Sequence, residues 1–283
     1  MRIGIVSDVF YPYLMGGAER RYWEVARRLA RDHEVHVFTM RWHGAPREEV
    51  VEGVRIHRLN VPRGLYSGGR RSIWAALRFT AALLPPSLKD WDLDIIDANQ
   101  FPFLPLFPSR LMASRNRCPL VATWHEVWGE YWHEYMGSRL YGAIGKGIER
   151  LSSRLPDRII AVSEKTKEGL VGRLDIPPER ISVIPNGVDL ELINSIKVER
   201  EDYKIVYAGR LLPHKNVDAL IRAMPRVLRE VPGAKLTIVG EGPMKMELIR
   251  LTEGLNLEDS VEWRGDLDYP SVLREIKSAT VLV

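Results

Sequence analysis

Two cations, Arg210 and Lys215, stand close together in VYAGRLLPHKN, where an apolar strand pattern hands over to an amphipathic helix. No acidic residue lies between them. A guanidinium presents a planar fork that matches phosphate oxygens, and an ammonium adds a compact point charge. The start of a helix contributes unpaired N–H groups and a partial positive charge. Gly209 lets a ligand come close to the backbone. This combination predicts a site for a doubly charged phosphate group. A lone Arg and Lys on a surface loop would only solvate it; the strand–loop–helix setting favours the anion.

Other residues offer weaker signals. Gly16 and Gly17, in YPYLMGGAERRY, open the first helix pattern and could set two backbone N–H groups against an oxyanion, or simply form a flexible loop. The spacing is not that of a dinucleotide fingerprint, and no phosphate-binding Gly-Lys-Ser/Thr is present. Gly240 and Gly242 flank Glu241 after the strand KLTIV, as a partial glycine-rich loop or a turn before Pro243. His125 follows the strand LVATW, and a histidine there points into the ligand crevice of an open α/β sheet. Neither His125-Glu126 nor His133-Glu134 continues as a metalloprotease motif. Trp124, Trp128, Trp132 and Tyr135 are spaced for one helical face; core packing is favoured over stacking on a sugar or lipid acceptor. The triplets Asp92-Leu93-Asp94 and Asp266-Leu267-Asp268 invite a metal reading. The first precedes its strand and the second lacks a third ligand, so no metal site is expected. His33 and His36 alternate on a strand and read as partly exposed residues of it.

These residues need elements to hold them. Strand patterns occur at 3–6, 34–39, 54–59, 94–98, 120–124, 158–163 and 181–186, alternating with helical periodicity. In the first helix Tyr22, Val25, Ala26 and Leu29 share one face. After a charged pause, a second series begins: a strand at 204–209, a helix at 216–231, a strand at 235–240, a helix at 244–254, a strand at 261–265, a helix at 270–278 and a strand at 280–283. The expectation is an α/β chain of two doubly wound, mainly parallel sheets, the second incomplete. The domain boundaries are read as 1–192 and 204–283, with 193–203 as a linker. The final TVLV has nothing after it to cover the sheet, which suggests a piece of a longer protein.

The 283 residues are 45% hydrophobic and 28% charged, enough for sizeable cores. Lys plus Arg exceed Asp plus Glu by only 41 to 37, and the excess is dispersed. That predicts no nucleic-acid partner, but it suits anionic small molecules or an acidic membrane surface. The basic, apolar stretch 63–84, with Arg63, Arg70, Arg71 and Arg78, reads first as a helix packed on the sheet. Peripheral contact with an acidic membrane is the alternative. Its longest apolar run is too short to span a bilayer. The single Cys118 allows no internal disulfide and fits a cytoplasmic setting, with membrane association on the inner face as the variant.

Taken in order, YPYLMGGAER, VATWHE, RIIAVSEKTKEGL, ISVIPNGVDLE, VYAGRLLPHKN, LTIVGEGP and VEWRG resemble the retaining glycosyltransferases of family 4, with their GT-B architecture of two Rossmann-like domains facing a cleft. The resemblance implies transfer of a sugar from a nucleotide diphosphate sugar to an acceptor hydroxyl, with retention of configuration. The acceptor would be a saccharide, a lipid-linked sugar or a small metabolite, and no metal or other cofactor would be required. By position, Arg210 and Lys215 would hold the donor diphosphate, with Gly16 and Gly17 approaching the phosphate or the acceptor. His125 would lie by the donor sugar, so His125, Arg210 and Lys215 form the implied catalytic set. Gly240, Gly242, Gly265 and Leu267 would line the nucleotide side. Residues 186–189 would mark the crossing between domains. Asp97 and Asn99 stand where the family usually has His, which implies altered acceptor contacts. The family's pair of donor-binding glutamates would follow Val283, so the chain as given is expected to be inactive. Two other readings stay open: a sugar-nucleotide epimerase of the same architecture, and a non-catalytic nucleotide-sugar-binding protein.

Overall fold

The structure is a computed structural model and describes the whole chain except residues 14, 15, 43, 62, 63, 68 and 69. Arg63 and the side chain of Arg70 therefore lie outside the described residues. The chain divides into two compact units, Met1–Gly187 and Val188–Val283.

In the first unit, buried strands assemble into an eight-stranded sheet. They are β1 (Arg2–Val6), β2 (Glu34–Thr39), β3 (Glu48–Val51), β4 (Val54–Arg58), β7 (Ile95–Asn99), β8 (Leu120–Trp124), β9 (Arg158–Ala161) and β10 (Ile181–Val183). A separate small hairpin pairs β5 (Tyr66–Ser67) with β6 (Arg70–Arg71). The large sheet runs β10-β9-β8-β7-β1-β2-β4-β3, parallel throughout except for β3 against β4.

Side-chain alternation gives this sheet two different faces. Ile3, Ile5, Val35, Val37 and Ile56 pack under helix α1 (Gly17–Leu29) with Tyr22, Trp23 and Ala26. The buried face of α1 includes Trp23, whereas Val25 is only partly buried, so the stripe is rotated from the expected one. On the opposite face, Phe38, Ile96, Ala98, Ala122, Trp124 and Ile159 form the larger core. It is covered by helices α2 (Ile73–Ser87), α3 (Leu106–Asn116), α4 (Tyr131–Met136), α5 (Arg139–Ser152) and α6 (Glu164–Leu174). The crossovers into β7, β8, β9 and β10 all step the same way along the sheet, so right-handed connections put their helices on one side.

The aromatic series is a core feature, but not one helical face. Trp124 ends β8, Trp128 lies in the following loop, and Trp132 and Tyr135 belong to α4. A strand period and a helix period coincide here in sequence and part in space.

The second unit has a parallel sheet of order β13-β12-β11-β14, from β11 (Lys204–Ala208), β12 (Lys235–Val239), β13 (Val261–Gly265) and β14 (Val281–Leu282). Helices α8 (Val217–Glu230), α9 (Lys245–Gly254) and α10 (Tyr269–Ser278) connect them. Val217, Ile221 and Met224 of α8 meet Leu236 and Ile238 in the core. The stretch expected to be a linker belongs to this unit. It begins within helix α7 (Leu190–Ser195), and Lys277 Nζ donates to the carbonyls of Ile193 and Ile196, both at 2.8 Å. Glu201 N donates to Ser278 O at 2.8 Å. Several backbone groups of this stretch thus find partners on and beside α10. Among the described residues, no helix is long and apolar enough to cross a membrane.

Candidate functional site

In the first unit the polar residues gather where β7 and β8 end beneath the start of α1. Asp97 and Asn99 point to the same face by strand alternation, and Asn99 is paired in register with Thr123 on β8. The Asp97 carboxylate accepts from Thr123 Oγ1 at 3.1 Å and from Tyr22 Oη at 3.2 Å. Arg21 Nη1 lies 4.0 Å from its other oxygen. Burial pushes the Asp97 carboxyl up, against the pull of Arg21 and of these two hydrogen bonds.

His125 follows β8 and is fixed by its backbone. Its N–H donates to Gln100 Oε1, and its carbonyl accepts from Thr166 Oγ1 at 3.0 Å. Gln100 Nε2 in turn donates to Glu126 O at 3.0 Å, so one side chain clamps both neighbouring peptides. The ring is treated differently. His125 Nε2 is buried with no hydrogen-bond partner among the described residues, as are Asn99 Oδ1 and Arg21 Nη1. Buried polar atoms are normally paired. Burial, assisted by the charge of Arg21, lowers the His125 pKa to about 4. The imidazole is thus neutral near pH 7, able to give or take a hydrogen bond with a hydroxyl but carrying no charge of its own.

The loop beyond His125 hangs on a residue that pattern reading missed. Glu149 of α5 is fully buried and accepts from Trp128 N at 2.9 Å, Gly129 N at 3.2 Å and Trp132 Nε1 at 2.8 Å. A sequence signal for it exists. Glu149 shares its helix face with Gly142, Gly145 and Ser152, so the acid sits on the small-residue face that packs inward. Gln100 had the same signal as His125, a polar side chain just past a strand's carboxyl end. Arg21 had none, because its partner Asp97 is remote in sequence.

Gly16 caps α1 with extended backbone and without a side-chain hydrogen bond. A Cβ on Gly16 would come within 2.8 Å of Glu19 Oε2, whereas one on Gly17 would meet nothing within 4 Å. Among the described residues nothing requires the smallness of Gly17, and they leave space open at this helix start.

In the second unit, the loops after β11, β12 and β13 are laced together at the carboxyl ends of the strands. Gly209 N donates to Val239 O at 2.9 Å, Leu211 N to Glu241 O at 2.9 Å, and Gly240 N to Gly265 O at 2.7 Å. Such close approach of backbones needs glycine. A Cβ on Gly240 would fall 2.1 Å from Gly209 O, and one on Gly242 would fall 2.3 Å from Leu211 O. Gly265 adopts a left-handed conformation at φ 62°. Gly240, Gly242 and Gly265 therefore hold the loop that bears the cations, and half-buried Leu267 lies just beyond β13.

Arg210 and Lys215 are both exposed on that loop. Arg210 O accepts from Tyr207 Oη at 3.1 Å, which fixes its backbone. Lys215 closes a single 3-10 turn (Pro213–Lys215), and Asn216 at φ 50° turns the chain into α8, one residue later than expected. The Asn216 side chain does not cap the start of α8. Asp218 in its first turn lies 3.9 Å from Arg222.

The acidic triplets have other partners. Asp94 accepts from Arg2 N at 2.7 Å and Asp92 pairs with the Arg2 side chain; Asp268 caps α10 by accepting from Ser271 N at 2.9 Å. His36 is buried beside His57, its Nδ1 3.0 Å from His57 Nε2, rather than partly exposed.

Comparison with known proteins gives this arrangement a family. Residues 15–192 match the model of Glycosyltransferase Family 4, and residues 189–283 match that of Glycosyl transferases group 1. A relative from Methanocaldococcus jannaschii, described as an uncharacterized glycosyltransferase, is 29% identical over the whole chain and 74% of its own length. In fold, the chain is similar to sucrose-phosphate synthase from Thermosynechococcus elongatus (TM-score 0.77, 18% identity, 99% of this chain and 74% of that one). It is also similar to Anabaena HepE, solved in complex with UDP and glucose (TM-score 0.70, 16% identity, 100% of this chain and 73% of that one). With two Rossmann-like units of the GT-B type and a family match over most of its length, this chain belongs to glycosyltransferase family 4.

Proposed function

We propose that the protein transfers a sugar from a nucleotide diphosphate sugar to an acceptor hydroxyl, with retention of configuration and without a metal. The observation that carries this reading is the loop 209–216. It holds two exposed cations against a helix start that the Asn216 side chain does not cap, and glycine-mediated backbone packing braces it from behind. As the glycosidic bond breaks, negative charge grows on the leaving diphosphate. Arg210, Lys215 and the N–H groups opening α8 are assigned its stabilisation by preorganised charge. Such fixed cations take the part that a divalent ion would otherwise play. Neutral His125 is assigned to a hydroxyl of the transferred sugar. Gly17 is assigned to the close approach of phosphate or acceptor at the start of α1. In the step itself, the acceptor oxygen bonds to the anomeric carbon on the face the diphosphate leaves, and a departing phosphate oxygen takes the acceptor's proton. The HepE complex with UDP and glucose supports a uridine nucleotide as the first donor to try.

The test is a transfer assay on the full-length protein with a chelator present throughout and the anomeric coupling of the product read by NMR. Arg210→Ala and Lys215→Ala should each lower kcat by on the order of 10²–10³. Wild-type turnover in both variants, or a product of inverted configuration, would sink the assignment.

A further inference from the structure

Helix α5 packs in an unusual sense: its small residues face inward and, Ile148 apart, its large apolar ones face solvent. A Cβ on Gly142 would lie 2.5 Å from the His133 ring, and one on Gly145 would lie 2.4 Å from the Trp132 ring. On the outer side Leu140 is 68% exposed, Tyr141 58%, Ile144 51% and Leu151 58%. Helix α2 also exposes large apolar side chains. It buries Phe79 and Leu83, yet Trp74 is 73% exposed, with Ile73, Leu77 and Leu84 also exposed. Phe107 and Leu111 of α3 are exposed too. These helices are successive crossovers on one side of the first unit's sheet, so their outer faces form one layer.

Cations outnumber acids in that layer, although Arg110 of α3 pairs with Asp157, and Lys146 and Arg150 of α5 pair with Glu130 and Asp175. Between Gly53 and Lys89 the sequence has no Asp or Glu, and α3 has none. The one acid of α5, Glu149, is fully buried. Arg78, Arg115, Arg117 and Arg139 are exposed and make no ion pair among the described residues. Exposed apolar side chains ringed by unpaired arginines are what an amphipathic surface presents to anionic lipid headgroups. A second copy of the chain is a poor occupant. A two-fold interface sets a patch against itself, and arginine would then face arginine.

We propose that the outer face of α2, α3 and α5 seats the protein on an anionic lipid bilayer, with Trp74, Leu140 and Ile144 entering the headgroup–acyl boundary. This does not rest on the transferase reading, because vesicle binding needs neither donor nor acceptor. The experiment is flotation of the purified protein with vesicles of phosphatidylcholine alone or with about 30% phosphatidylglycerol. Binding is expected to the anionic vesicles and to weaken as salt rises. The double variant Trp74→Ser/Ile144→Ser should bind at least about tenfold more weakly. Arg115→Gln and Arg139→Gln should each cost roughly fivefold. These residues are exposed, and an unchanged thermal melt checks that each variant is folded. Absence of binding at low salt, or wild-type binding by both kinds of variant, would overturn the proposal. So would a dimer in sedimentation that the serine substitutions dissolve, since the face would then belong to a second copy.

Discussion

At the scale of single residues, His125 shows how burial sets chemistry. Its pKa in the fold, about 4, lies below the value of about 6.5 expected in an unfolded chain. The unfolded state therefore binds a proton first, and stability is lost as pH falls from about 6.5 toward about 4. The full loss is about 3 kcal/mol. Urea unfolding at pH 7 and at pH 4 should show this acid-side loss in the wild type and a smaller one in His125→Gln. Equal losses in both would mean that other groups carry it. His125 itself was legible in the sequence, because a polar residue at the end of a parallel strand can face only a few places. Its environment was not. Arg21 and Asp97 meet through the packing of α1 on β7, and no local spacing announces a contact of that kind.

At the scale of elements, strands and helices were legible because apolar periodicity is a local property. The limits of β2, β8 and β13 agree with the apolar runs that predicted them. Misreadings occurred where a tertiary partner decided the outcome. Trp23 displaces Val25 from the buried face of α1, where it packs on Phe10 and Tyr11 of the preceding loop. Residues 193–203 lack an apolar period, yet Lys277 of α10 holds their carbonyls. The turn from β8 into α4 depends likewise on Glu149, two elements away. Glu149→Leu should cost the first unit roughly 3 kcal/mol or more, because three buried N–H groups lose their acceptor. Glu149→Gln, which keeps one carbonyl oxygen, should cost less. Chemical denaturation followed by tryptophan fluorescence would read both, and equal stability of the Leu variant would refute the clamp.

At the scale of the whole molecule, the cores of the two units share no residue. Damage to one should therefore leave the other's melting largely in place. Gly242→Ala drives a methyl group into the backbone of Leu211 and should destabilise the second unit by about 1–3 kcal/mol. Scanning calorimetry should show one transition lowered and another unmoved; a uniform shift would mean the units melt as one body. The outer helix layer has a further use. Of the eight tryptophans, Trp74 alone stands well out in solvent, while the others are buried or half-buried. Its emission should thus be the red edge of the protein's spectrum and the part open to an aqueous quencher such as iodide. Anything that settles on α2 would shift that edge to the blue and shield it, while the interior tryptophans would hardly change. The chain carries an optical reporter for that face with no label added.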